Sequence, residues 1–427
     1  LRVSILESGF MAMSDESGGG LPLMAKGSGA RETYANPGWN LLREDVSLPT
    51  AVLYRQRLEN NLHWMQRFAD SRNVSLAPHG KTTMAPALFA RQLAAGAWGM
   101  TLATATQVAI AHAHNVRRVV MANQLVGKQN MLIISELLVG GELDFYCLVD
   151  SVENIRELAA FFSTRNQSLQ VLIEIGVAGG RCGTRTPADV DRLVAEIARH
   201  PSIKLAGIET YEGVIHGDNL VERIRAHVVM VKNICEDLLA KNVFATPQVL
   251  LTGAGSAWYD IVADVFGKTL NERILPIIRP GCYIVHDKGL CMHNQDRLMA
   301  RCGPDCGVEG DLQSSLEIWA CVQSIPEPGH AIIGMGKRDL AFDAGMPIPV
   351  LHYRPDTQQP QTAPQHWQAV SMMDQHTAMT FQPGDDLRVG DIIAFGTSHP
   401  CLTFDKWQQL CVIDDNYNVV DLIQTFF

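Results

Sequence analysis

Lys81 closes the run Ala77-Pro78-His79-Gly80-Lys81, an apolar strand-like segment that Pro78 and Gly80 stop abruptly. Thr82, Thr83 and Pro86 read as the cap and first turn of the next helix. The amine therefore sits at a strand end, where barrel folds keep their chemistry. A solvated surface charge is the ordinary alternative for a lysine. Farther along, Thr252-Gly253-Ala254-Gly255-Ser256 precedes another helical stretch. Gly253 and Gly255 let backbone N–H groups turn inward on an anion, the helix terminus adds partial positive charge, and Ser256 adds a hydroxyl donor. A lone Gly-x-Gly-Ser is usually only a turn, but its register with Lys81 favours a phosphate cradle. Tyr283, in Arg279-Pro280-Gly281-Cys282-Tyr283, is either a further phosphate donor or a core tyrosine with a satisfied hydroxyl. Arg181 either aims its guanidinium at a cofactor ring or pairs with a surface carboxylate, and Tyr211 closes another strand. A strand-end lysine facing a phosphate cradle suggests pyridoxal 5'-phosphate bound as a Schiff base. The amine must then be deprotonated, which burial beside cationic groups promotes.

His399-Pro400-Cys401 is the second chemical feature. On an extended segment these alternate residues project to one side and suit one zinc ion with positions left open for water or substrate. Taken alone, His-x-Cys is a weak signal and reads better as a buried cysteine beside a structural histidine. Cys291, His293, Cys302 and Cys306 form a rival cluster, but their spacing matches no usual zinc knuckle.

The elements that would position these residues alternate. Strand patterns fall at 74–78, 99–103, 118–122, 144–149, 169–175, 205–211, 248–252 and 275–279, with helical stretches such as 87–95, 105–113, 187–199 and 220–239 between them. Eight strands with intervening helices over about 210 residues fit a closed (β/α)₈ barrel, a TIM barrel within the α/β class, and permit an open doubly wound sheet. Beyond about residue 300 the texture becomes short β-rich runs at 316–323, 331–333, 367–372, 391–395, 409–413 and 419–423, separated by turn signals. The expected organisation is an N-terminal arm over 1–50 that joins the β domain in part, a barrel over 51–300, and an all-β domain over 301–427 carrying the zinc site. Ser14 to Gly29, rich in Gly and Ser, reads as a flexible lead-in.

Composition narrows the function classes. The 427 residues are 47% hydrophobic with a formal net charge of -10, and no Lys/Arg run suggests a nucleic-acid groove. No apolar window is long enough for a membrane span. The start, Leu1 to Met13, lacks the apolar core of a signal peptide. Ten scattered cysteines resemble those of a reduced cytosolic enzyme, so cytoplasm is the expected compartment.

Together, Pro78-His79-Gly80-Lys81-Thr82, Arg181-Cys182-Gly183, Gly253-Ala254-Gly255-Ser256, Gly281-Cys282-Tyr283 and Ser398-His399-Pro400-Cys401 resemble the fold-type III pyridoxal phosphate enzymes of the D-serine dehydratase and D-threonine aldolase group. The five motifs occur in order from about residue 50 to the C-terminus. The resemblance implies an alanine-racemase-like barrel, a β domain that includes the strand before the lysine strand, and a homodimer. It implies Lys81 as the Schiff-base residue, Gly253, Gly255, Ser256 and Tyr283 at the phosphate, His79 in the cofactor pocket, Arg181 and Tyr211 near the ring, and a metal at His399 and Cys401. His-x-Cys is the dehydratase form of that metal motif and His-x-Asp the aldolase form. Thr83-Met84 departs from the His-Lys of many members, as in a bacterial subgroup similar to D-serine deaminases. The implied reaction is elimination of water from a D-β-hydroxy amino acid, foremost D-serine to pyruvate and ammonia, with Lys81 as base at Cα. The rivals are a D-threonine aldolase, a 3-hydroxyaspartate dehydratase, a racemase with His216 as opposing acid, and a pyridoxal phosphate carrier without turnover. Gln107, Asp343 and His376 are candidate pocket residues.

Overall fold

The computed structural model describes residues 25–28, 38–303, 307–355 and 357–427. The first strand, β1 (Thr50–Tyr54), precedes helix α1 (Arg55–Ser71). Then come β2 (Ser75–Leu76), β3 (Met100–Leu102), β4 (Arg118–Gln124), β5 (Asp144–Val149), β6 (Leu169–Ile175), β7 (Ile203–Thr210), β8 (Val249–Gly253) and β9 (Ile274–Ile278). These eight pair in parallel in the order β2-β9-β8-β7-β6-β5-β4-β3. The sheet closes on itself: the Trp98 N–H donates to the Leu76 carbonyl at 2.7 Å, the Thr101 N–H to that of Pro78 at 2.9 Å, and His79 bridges Thr101. The expected barrel is therefore a barrel and not an open sheet.

Helices follow the strands for the local reasons their sequences supply. Helix α2 (Pro86–Ala94) starts on a proline, whose missing N–H costs nothing in a first turn. The helices α3 (Ala105–Ala113), α4 (Lys128–Leu138) and α5 (Val152–Ser163) come next, with Thr104 and Ser151 capping the first and last of these. Helix α6 (Pro187–Ile197) opens with a reciprocal Thr186–Asp189 capping box. Helices α7 (Leu220–Ala240), α8 (Tyr259–Phe266) and α9 (Leu290–Cys302) complete the ring. Their apolar faces and the outward strand residues form the main core, while Ala77, Val120, Leu148, Leu172, Leu250 and Ile277 fill the barrel interior.

The second layer is a ten-stranded sheet. Its strands are β10 (Leu316–Glu327), β11 (His330–Ile333), β12 (Ile348–Tyr353), β13 (Gln361–Thr362), β14 (Gln368–Met372), β15 (Thr377–Thr380), β16 (Ile392–Gly396), β17 (Gln409–Ile413) and β18 (Val419–Gln424), together with β1. Three of these, β12, β13 and β15, fall outside the runs read from sequence. The first carries Pro349 at a register shift, the second has two exposed residues, and the third is four residues long. Strand β1 lies between β10, antiparallel, and β17, parallel, so a cut at residue 51 passes through this sheet. Residues 25–28 also dock here: the Ser47 N–H donates to the Ser28 carbonyl at 3.0 Å, and the Lys26 ammonium lies 3.7 Å from the centre of the Trp407 ring. The rest of the glycine-serine lead-in lies outside the described residues. Among the described residues no helix is long and apolar enough to cross a membrane.

Candidate active site at the barrel mouth

The alternation of strand side chains determines what lines the mouth. One face-matched step beyond the interior residues Ala77, Leu172, Leu250 and Ile277 stand His79, Glu174, Thr252 and Arg279. The apolar filling thus gives way to a polar floor. Arg279 and Glu209 form a buried ion pair, and Arg279 also donates to the Thr210 carbonyl at 3.2 Å. Gln124 donates to Glu174 at 2.6 Å. Burial, then the nearby Glu209, raises the Glu174 carboxyl to about 7. Burial likewise raises Glu209 in spite of Arg279. His79 is pushed well below the usual histidine range by the enclosure of its ring, then by the positive charges of Lys81 and Arg279. Four enclosed polar atoms of this floor have no hydrogen-bond partner among the described residues: His79 Nδ1, Glu209 Oε2, Thr252 Oγ1 and Arg279 Nε. Enclosed polar groups are nearly always paired, so four together mark a place prepared for a polar ligand.

Lys81 is exposed above this floor, within a single helical turn at Gly80–Thr82. Gly80 permits the turn to lie against the wall, since a Cβ there would stand 2.8 Å from the Phe89 ring. Thr83 and Met84 are buried, Met84 in the main core with its carbonyl accepting the Phe426 N–H at 2.9 Å. They anchor the turn and do not line the mouth.

The loop after β8 meets the one after β7. Ala254 holds a φ of 71°, an uncommon conformation for a residue with a Cβ. Its N–H and that of Gly255 donate to the buried Glu212 carboxylate at 3.1 and 3.0 Å. A Cβ on Gly255 would stand 2.8 Å from Tyr211 Cε2, and one on Gly213 would stand 2.4 Å from Tyr211 Oη, so both glycines make room for that ring. The Arg181 guanidinium lies 4.6 Å from the centre of the Tyr211 ring, and no surface ion pair engages it among the described residues. Ser256 Oγ accepts the Cys282 N–H at 3.4 Å. Tyr283 is placed apart from this set: its ring is in the main core and its hydroxyl accepts from Gln92 at 3.1 Å. Of its two sequence readings, the satisfied core tyrosine is the one observed.

The expectation of an extended His-x-Cys segment needs correction. Pro400 has helical dihedrals, φ -70° and ψ -37°, and Cys401 opens the short helix α10 (Cys401–Phe404). The ring of proline fixes a φ suited to a helix start, so His399 and Cys401 leave a turn. His399 Nδ1 bonds Asp343 Oδ2 at 2.8 Å, and Cys401 Sγ lies 3.5 Å from Thr82 Oγ1 and 3.6 Å from Cys282 Sγ. The β layer thus delivers a thiol to the residue beside Lys81. Of the rival cluster, Cys291 is buried behind Cys282, His293 bonds the Gly289 carbonyl, and Cys306 lies outside the described residues. Among the described residues one trio of metal-type donors lies within 4.8 Å, Asp150, Glu174 and Cys182, at the ends of β5 and β6.

The weaker candidates scatter. The Gln107 side-chain carbonyl accepts the Ala103 N–H at 2.9 Å, while His376, in the turn between β14 and β15, and His216 are exposed. Sequence reasoning assigned no role to Glu174, Glu209, Glu212 or Arg279. Stepping two residues on from each interior apolar position finds Glu174 and Arg279.

The residues suit pyridoxal phosphate: an exposed amine, an unsatisfied polar floor, and a tight loop carrying the Ser256 hydroxyl. The donors at His399 and Cys401 suit zinc, since Asp343 on Nδ1 leaves Nε2 available. Comparison with known proteins agrees on the fold and the family. The family model "Alanine racemase, N-terminal domain" matches residues 53–284, and "Putative serine dehydratase domain" matches 315–413. A D-threonine aldolase of Arthrobacter sp. is 25% identical over 389 residues, 89% of this chain and 92% of its own. The crystal structure of D-threonine aldolase from Filomicrobium marinum superposes with TM-score 0.74 at 23% identity, covering 91% of this chain and 97% of that one. That of D-threo-3-hydroxyaspartate dehydratase from Delftia sp. HT23 does so with TM-score 0.69 at 22% identity, covering 91% and 99%. A mutant D-threo-3-hydroxyaspartate dehydratase is also known in a metal-free form.

Proposed function

Because the chain belongs to the alanine racemase N-terminal domain family, within the fold-type III pyridoxal phosphate proteins of the D-serine dehydratase group, we propose that it is a lyase for D-β-hydroxy amino acids. The observation that carries this reading is the exposed Lys81 amine above the unsatisfied floor of His79, Thr252 and Arg279, with Cys401 beside it. Lys81 would hold the cofactor covalently, Ser256 and the turn at Gly253–Gly255 its phosphate, and Arg181, Tyr211 and His79 its ring. When bound, pyridoxal phosphate supplies an electron sink for negative charge at Cα. Lys81, once displaced by the substrate amine, takes the Cα proton. His399 and Cys401 would hold a zinc ion, whose Lewis acidity suits a β-hydroxyl that is otherwise a poor leaving group.

With D-serine, breaking Cα–H and Cβ–O releases water and, after hydrolysis, pyruvate and ammonia. Cys401, in place of the aspartate that the family resemblance associates with aldolases, favours elimination. The Arthrobacter relative favours aldol cleavage as a second reading, with glycine and an aldehyde as products. The proposal includes a homodimer, which sedimentation of the purified chain tests, and a cytoplasmic location, which cell fractionation tests. The deciding assay offers D-serine, L-serine, D-threonine and both 3-hydroxyaspartate diastereomers to the purified protein with and without chelator. Keto acid and ammonia from D-serine, lost on chelation, are expected; glycine as the main product from D-threonine would replace elimination with the aldolase reading.

A further inference from the structure

We propose that Cys282 is an additional thiolate ligand of the metal held by His399 and Cys401. The inference rests on the zinc reading of that pair. The sulfurs of Cys282 and Cys401 stand 3.6 Å apart. Two thiolates at ~2.3 Å from one tetrahedral zinc are ~3.8 Å apart, so the observed contact already has the span a shared ion requires. The sulfurs come from different layers, Cys282 from the turn after β9 and Cys401 from the start of α10. An ion between them would tie the β layer to the barrel mouth beside Lys81. Thr82 Oγ1 touches both sulfurs, at 3.8 Å from Cys282 and 3.5 Å from Cys401.

Cys282 is held for this position by what surrounds it. Its N–H donates to Ser256, and Cys291 packs behind its thiol. Asp287 accepts the N–H groups of Gly289 and Cys291 at 2.7 and 2.9 Å, which fixes the connection from this turn into α9. Two cysteines and one histidine make three protein ligands with a fourth position open, the pattern of a catalytic zinc site. The donors of His399, Cys282 and Cys401 are not within 4.8 Å of one another as a trio, so the His399 ring would have to turn inward to share an ion with the two sulfurs.

The test is cobalt substitution in the metal-stripped full-length protein, with a readout independent of turnover. Thiolate-to-cobalt charge-transfer absorbance grows with the number of thiolates. Cys282→Ser is expected to remove about half of the wild-type band and to weaken cobalt binding by about tenfold or more, with Cys401→Ser doing at least as much. Thermal melting of the metal-free variants checks their folding. In the unmutated protein, zinc is expected to slow iodoacetamide labelling of the Cys282 peptide in step with that of Cys401. A band and affinity undiminished in Cys282→Ser but lost in Cys401→Ser would overturn this inference and leave the zinc pair standing. Zinc-independent labelling of Cys282 beside protected Cys401 would overturn it equally, and no cobalt band in the wild type would remove both.

Discussion

At the scale of single residues, the mouth gathers carboxylates and cations that burial makes costly unless a ligand completes them. Glu174 gives this a measurable consequence. Its folded value of about 7 lies above the ordinary carboxylate value, so the native state holds a proton that the unfolded chain releases. Stability therefore falls as pH rises from the unfolded value through about 7. Glu174→Gln keeps the bond with Gln124 and removes that cost. In chemical denaturation at pH 8 the variant should be more stable than wild type by about 2 kcal/mol, with the advantage fading toward pH 5. A pH-independent difference would contradict the assignment. Lys81, the glycine loop and the His-x-Cys motif were legible because each breaks a local pattern. Glu212 and Glu209 were not, since their meaning depends on backbone donors and a guanidinium about 40 and 70 residues away.

At the scale of elements, the loops are tuned by close approach. Gly255→Ala places a methyl against Tyr211, which must then shift from beneath Arg181. The variant should fold normally and bind pyridoxal phosphate about tenfold more weakly by fluorescence titration, an effect of about 1.4 kcal/mol. Unchanged affinity would separate this loop from the cofactor. In the loop after β6, Thr186→Ala breaks the capping box of α6 and should lower stability in chemical denaturation by about 1 kcal/mol. All eight barrel strands were readable because each is a short apolar run between helical stretches. The β layer was only partly so: β12 and β13 lie at one edge of the sheet, where burial imposes little apolar alternation, and β12 also carries a bulge.

At the scale of the molecule, the two layers are not independent units. Strand β1 precedes the barrel in sequence yet sits inside the second sheet, Arg91 of α2 pairs with Asp421 at 2.8 Å, and Cys401 touches the lysine turn. Sequence periodicity names strands but not distant partners, so the placement of β1 came only through the family resemblance. Calorimetry of the intact chain should show one cooperative transition, because β1 of the second sheet runs straight into α1 and the Arg91–Asp421 and Cys401–Thr82 contacts cross between the layers. Two separated transitions would show that the layers unfold alone.

The central claim is that Lys81 carries the cofactor. Borohydride reduction of the purified holoprotein, followed by peptide mapping, is expected to place a single pyridoxyl group on the peptide containing Lys81 and to bleach the visible absorbance. Label on another lysine, or a fully active protein in which nothing is trapped, would contradict it.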